Sequence, residues 1–219
     1  MLFGYLGRRF GRLGSGRGTA AAGVPPVTPA YTYRGEFTDS GASTVATYSV
    51  NIGTASADRL VIVAVAIQNA PVITSLVVNG VTLNQDVLIA VGADIGIFSG
   101  LVVAGSGAQN IVLTCVSAGF LERDIFVWTA TGLSSNLVKN TMSYSANTNG
   151  TINITSGDFL FAVDQSSLGV FSSVDQTPTA THTIGALSGR SAEWLTTVTA
   201  AAFNVHVGAN ATVAAASYR

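Results

Sequence analysis

The sequence predicts an all-β protein: an antiparallel β-sandwich or jelly-roll-like body with an extended or short-helical basic arm at its N-terminus. Three observations lead there. Residues 58–68 (DRLVIVAVAIQ) are a short, nearly continuous run of β-branched and small apolar side chains, the pattern of a strand buried on both faces. Residues 73–83 set Asn79-Gly80 between two apolar stretches, the strongest short-range signal for a tight hairpin. Beyond the arm, turn residues recur every ~8–12 positions with no sustained helical period, which is sandwich spacing rather than βα spacing.

The first 30 residues are a compositional zone of their own. Phe3, Leu6, Phe10 and Leu13 recur at helical steps and would share one face, while Gly4, Gly7, Gly11, Gly14 and Gly18 weaken any free helix. Each glycine costs roughly 1 kcal/mol relative to alanine, so the helix is not expected to persist alone in water. Two readings follow: a flexible tether, or, preferred, an arm that orders only when its apolar stripe and arginines settle in a groove of a larger assembly. It carries Arg8, Arg9, Arg12 and Arg17 and no acid, a net +4, while residues 31–219 set six bases against eleven acids, a net −5. A basic arm on an acidic body is a docking layout. The eight residues Phe3, Leu6, Arg8, Arg9, Phe10, Arg12, Leu13 and Arg17 are therefore the expected partner-binding set, and the proline-rich stretch 24–29 is a stiff spacer. Four arginines would bind phosphates only weakly, so a protein partner is expected rather than nucleic acid.

The body, 31–219, then unfolds in order. Tyr31, Tyr33 and Phe37 are expected on one face of a first strand, interrupted by Gly35. Residues 44–52 form a second strand, followed by the central strand and its hairpin. Residues 94–103 and 110–116 are strands joined by a glycine-serine turn. Residues 123–129 alternate strictly, placing Phe126 and Trp128 on one face and Ile125 and Val127 on the other. Short strands at 139–146 and 151–155 flank a polar loop, and residues 157–163 echo the charge-then-apolar entry of the central strand. A long polar loop at 164–178 precedes strands near 180–184, 191–200 and 211–218, with a brief helix as an option at 200–202. One sandwich whose two subparts, 31–135 and 136–219, share a core is preferred. Two tandem sandwiches are the alternative.

Charged residues make up only 10% of the chain against roughly 25% in soluble domains. So weakly charged a body is expected to cover its surface with copies of itself or a partner. Titratable groups for chemistry are scarce. His182 and His206 read as surface or hydrogen-bonded strand residues, Cys115 as a small buried hydrophobe, and Glu122-Arg123-Asp124 as a solvated turn, with an inter-subunit ion pair as the alternative. No metal-ligand spacing, serine elbow or phosphate loop is present, so no catalytic, cofactor or metal residue is expected. A membrane span is not expected either.

Residues 58–65, 73–83, 97–102, 110–114 and 211–219, taken together, resemble virion structural proteins of tailed bacteriophages: head decoration, spike, neck and tail-fibre proteins of β-sandwich type. The likeness spans most of residues 35–219. It implies a non-enzymatic virion or capsid component on the outer surface of head, neck or tail, a trimer or other cyclic homo-oligomer, anchored to other virion proteins by its N-terminal arm. The alternative is a carbohydrate-binding adhesin for a host-surface glycan, with Tyr31, Tyr33 or Trp194 as exposed stacking platforms.

Overall fold

The apolar run at 60–68 is β3 (Leu60–Gln68), the middle strand of a five-stranded antiparallel sheet. The computed structural model describes residues 28–40, 43–68, 72–90, 93–116, 122–145, 150–165, 171–184, 189–207 and 211–219, and every regular element among them is a strand. The first eight strands besides β3 are β1 (Ala30–Asp39), β2 (Val45–Asn51), β4 (Ile73–Val78), β5 (Val81–Thr82), β6 (Asn84–Ala90), β7 (Ala93–Leu101), β8 (Ala108–Cys115) and β9 (Arg123–Thr131). They make an outer sheet I, ordered β2-β8-β4-β5, and an inner sheet II, ordered β1-β9-β3-β7-β6. The others are β10 (Asn140–Ser145), β11 (Gly150–Ile154), β12 (Phe159–Gln165), β13 (Ala180–Ile184), β14 (Gly189–Leu195), β15 (Ala200–Val205) and β16 (Thr212–Tyr218). These make inner sheet III, β10-β16-β12-β14-β13, and the two-stranded outer sheet IV, β11-β15.

Three apolar cores bind the four layers in the order I–II–III–IV. Val61, Val63, Val65, Ile125 and Val127 face sheet I, where Tyr48, Val50, Leu76 and Leu113 meet them. The alternate residues Leu60, Ile62, Phe126 and Trp128 face sheet III and pack on Phe159, Phe161, Ala214 and Tyr218. Leu160, Ala162, Trp194 and Val213 then bury the far face of sheet III against Ile152, Phe203 and Val205. An inner sheet covered on both faces has no polar side, which is why β3 and β12 read as unbroken apolar runs. Each fully buried large side chain contributes ~1.5–3 kcal/mol, so the seam between sheets II and III is as much core as either flanking layer.

The wiring of the two halves is the same. Matching β1, β2, β3 with β10, β11, β12 and β6, β7, β8, β9 with β13, β14, β15, β16 turns the order of sheet II into that of sheet III. The β2-β8 pair likewise becomes β11-β15. The seam follows the same exchange: β1 packs on β13 as β6 packs on β10, β12 packs on β7 as β3 packs on β14, and β3 meets its own counterpart β12. The first half adds the β4-β5 hairpin, giving the β1-β9-β3-β7 and β2-β8-β4-β5 sheets of a jelly roll. In the second half residues 172–175 take that place. Ser172 bridges His206 in both directions, and Asp175 accepts from Asn204 N at 2.7 Å.

Four sequence expectations change. The Asn79-Gly80 hairpin forms, with both residues at positive φ (48° and 79°), but Phe37 does not share a face with Tyr31 and Tyr33. A bulge between Tyr33 and Gly35 (φ 125°) inserts one residue and flips the strand, sending Phe37 into the I–II core. Residues 200–202 are strand, not helix, because β15 must close the core over Phe203. Glu122, Arg123 and Asp124 are all buried, not a solvated turn. Trp194 is fully buried rather than exposed.

Candidate functional site

The densest set of chemically capable side chains lies where β1 of sheet II faces β13 and β14 of sheet III. Alternation along β14 turns Ser191 and Glu193 toward sheet II, and pairing sets His182 directly opposite Ser191. From sheet II, Tyr33 stacks on the His182 ring with centroids 3.6 Å apart, and Trp128 meets it edge-on at 6.3 Å. The Glu193 carboxylate accepts the Trp128 indole N–H and lies 3.7 Å from His182 Nε2. Burial, then the nearby Glu193 charge, raises the Tyr31 phenol. Burial, with the hydrogen bond to Glu36, raises that of Tyr33 well above its ordinary value.

Serine, histidine and glutamate in one place are the residue types of acyl-transfer catalysis, so geometry must decide. Ser191 Oγ is fully buried and, among the described residues, has no hydrogen-bond partner. His182 offers Nε2 toward Glu193, while Tyr33 covers a face of its ring. Among the described residues no hydrogen bond joins the serine to the histidine. What the arrangement does is hold the seam: a carboxylate from one half is tied to an indole from the other inside an apolar core.

A second polar group closes the same seam at its other end. Asp124 accepts Gly189 N at 2.8 Å, and its carboxylate occupies the space a Cβ on residue 189 would need, so only glycine fits there. Burial raises the Asp124 carboxyl to about 7, helped by the neighbouring Glu122 charge and opposed by Thr38. Arg123 turns the other way, pairing with Asp39 at 2.7 Å and donating to Ser43 O. On the opposite face of sheet III, Asp164 is completely buried and, among the described residues, neither of its oxygens is hydrogen-bonded. Burial raises its carboxyl to about 8, and Arg190 across the ladder only partly opposes that.

Arg59, which the sequence shows only as the charged entry to β3, organises one pole of the first half. Its buried guanidinium donates to Val102 O at 2.9 Å, Thr54 O at 2.9 Å, Ala104 O at 2.6 Å and Gly105 O at 2.9 Å. Pole-loop carbonyls are thereby satisfied by one rigid fork. The second half solves the equivalent pole with Thr196, whose hydroxyl donates to Thr155 O and is placed 3.0 Å from Asp158 O, and with Lys139 paired to buried Asp158 at 2.7 Å.

On the surface, a cleft of about 430 Å³ lined by Pro29, Asp58, Gly132, Leu133, Ser134 and Arg219 lies where the N-terminal arm joins the body. The expected docking residues Phe3, Leu6, Arg8, Arg9, Phe10, Arg12, Leu13 and Arg17 fall outside the described residues. None of the aromatic platforms expected for a glycan is free. Trp194 lies in the III–IV core, Tyr31 packs edge-on against Phe159 at 4.8 Å, and Tyr33 is stacked. Among the described residues no group of three or more His, Cys, Asp or Glu is placed to hold a metal ion, and no helix is long and apolar enough to cross a membrane. Comparison with known protein families, curated proteins and solved structures gives no match.

Proposed function

We propose that this protein is a non-enzymatic structural component of a bacteriophage particle, a self-associating β-sandwich docked to other virion proteins through its N-terminal arm. The observation that carries the reading is where the charge sits. Six of the eleven acids (Asp94, Glu122, Asp124, Asp158, Asp164 and Glu193) are buried, as are Arg59 and Arg123. Among the described residues only Glu36, Asp58, Lys139, Asp175 and Arg219 are exposed charged residues, and Lys139 is paired with Asp158. The outward face of sheet I shows Thr47, Ser49, Asn51, Asn110, Thr114 and Val116, with no charge at all. A protein that stays single in solution relies on surface charge to keep its copies apart, and this one has turned its charges inward.

The arm supplies the other half of the reading. Its apolar stripe and arginines suit burial in a groove with acidic groups at the rim. The test compares particles assembled with the full chain and with a chain lacking residues 1–24. The shortened chain is expected to fold and to be missing from the particles. Normal incorporation without the arm would sink the docking role.

A further inference from the structure

We propose that the open edge of β2 pairs antiparallel with β2 of a second copy, joining two sheets I into one continuous sheet about a two-fold axis at Ser49. This deepens the self-association proposed above and rests on it.

The direction of the backbone groups follows from two hydrogen bonds. Cys115 N donates to Thr44 O and Ile52 N donates to Gly107 O, so even-numbered residues of β2 exchange their bonds with β8. The amides and carbonyls of Val45, Thr47, Ser49 and Asn51 therefore point away from the sheet. Val45 is already occupied, since Ser43 Oγ donates to its carbonyl and accepts from its amide. Thr47, Ser49 and Asn51 remain, on a strand with no bulge, no proline and no charge. An unblocked edge of this kind is a template for another strand.

Both edges of sheet II are closed by recognisable devices. β1 carries the bulge at Gly35 and the charges of Arg34 and Glu36. β6 carries a bulge between Gln85 and Val87 and sends Asp86 to Tyr218. The comparison between equivalents is the sharpest. β11, which takes the place of β2 in the second half, has a bulge after Ile152, and Asn140 Nδ2 caps its Asn153 carbonyl at 2.8 Å. β15 is closed by Ser172 and Asp175. Among the described residues the chain caps one copy of this edge at Asn153 and leaves Thr47, Ser49 and Asn51 of its twin uncapped.

A second copy is the occupant that the register fits. With Ser49 opposite Ser49, Thr47 faces Asn51 of the other copy, and each exchanges both backbone groups. Tyr48 then meets Val50 of the other copy on the inner face, extending the I–II core across the junction and covering the half-buried rim residue Phe37. Like charges never meet. The contact is self-complementary and closes on itself, so it yields a discrete two-fold pair rather than a fibre.

The test is light-scattering mass of the full chain, wild type beside Ser49→Pro. Proline at an outward-facing edge position keeps the bonds to β8, fits a strand, and removes the central donor of the new junction. The expected result is an oligomer for the wild type whose mass falls by half in Ser49→Pro, with an unchanged far-ultraviolet spectrum. Ser49→Cys should form an intermolecular disulfide on oxidation, since facing strand residues lie ~5.5 Å apart. Thr151→Cys, exposed on sheet IV, should not. An oligomer that keeps its mass in Ser49→Pro and shows no Ser49→Cys crosslink would overturn the β2 pairing while leaving self-association standing. A wild-type monomer would overturn both.

Discussion

The Glu193 carboxylate accepts the indole N–H of Trp128 across the seam between sheets II and III. Both residues are buried among Phe126, Phe161 and Tyr33, so the bond sits where water cannot replace either partner. Trp128→Phe keeps one aromatic ring, leaves a small cavity where the rest of the indole was, and strips the carboxylate of this donor. Leaving a buried charged acceptor short of a partner costs on the order of 2–4 kcal/mol. Urea unfolding should show that loss, with Glu193→Gln less harmful because its amide oxygen still accepts. Equal stability of Trp128→Phe and wild type would mean that the seam is held by apolar contact alone.

How much of this was legible in the sequence depends on how local its cause is. β3 could be read because burial on both faces removes the polar half of the strand pattern, and the Asn79-Gly80 turn because its positive φ values demand those residue types. The resemblance of 157–163 to 58–65 reflects equivalent central positions in sheets III and II. The polar seam was not legible. Glu122-Arg123-Asp124 has the composition of a turn, and its burial depends on Asp39, 84 positions from Arg123, and Gly189, 65 positions from Asp124. Trp194 looked exposable because alternation says which residues share a face and not what covers that face. Phe37 was misplaced by one bulged residue, a slip that reverses every side chain beyond it.

Arg59 gives a second prediction. Its guanidinium serves carbonyls from residues 54, 102, 104 and 105, and among the described residues no carboxylate takes part. Arg59→Met fills similar volume but strands those acceptors, at a cost of roughly 3 kcal/mol or more. Arg59→Lys retains one charge without the fork and should fall between. Thermal unfolding of the three proteins ranks them, and a lysine variant as stable as wild type would show that charge rather than geometry matters at this pole.

Gly189 and Asp124 test the other end of the seam as a pair. A methyl group at 189 would collide with the Asp124 carboxylate, so Gly189→Ala should lose about 2 kcal/mol. Asp124→Ala clears the space, and the double variant should be more stable than the sum of the two single losses predicts. Such coupling is expected only for residues in direct contact. Strict additivity in a double-mutant cycle would place the two apart.

The buried carboxyls set the sign of the pH dependence. Asp124 is raised to about 7 and Asp164 to about 8, both chiefly by burial, and Asp86 and Asp94 are raised for the same reason. In the unfolded chain an aspartate loses its proton near ~4. Between those values the folded protein holds protons that the unfolded chain has released, so folding takes up protons and stability falls as pH rises. Each fully offset group contributes a slope of up to about 1.4 kcal/mol per pH unit through this window, levelling off above its folded value. The urea midpoint should therefore be higher at pH 5 than at pH 8. Asp164→Asn removes one titrating carboxyl while keeping its shape, so it should flatten the slope and exceed wild-type stability at pH 8.5. Arg190 and Tyr144 are the ionisable groups beside Asp164, and a variant as steep as wild type would assign the slope to Asp124 and its neighbours instead.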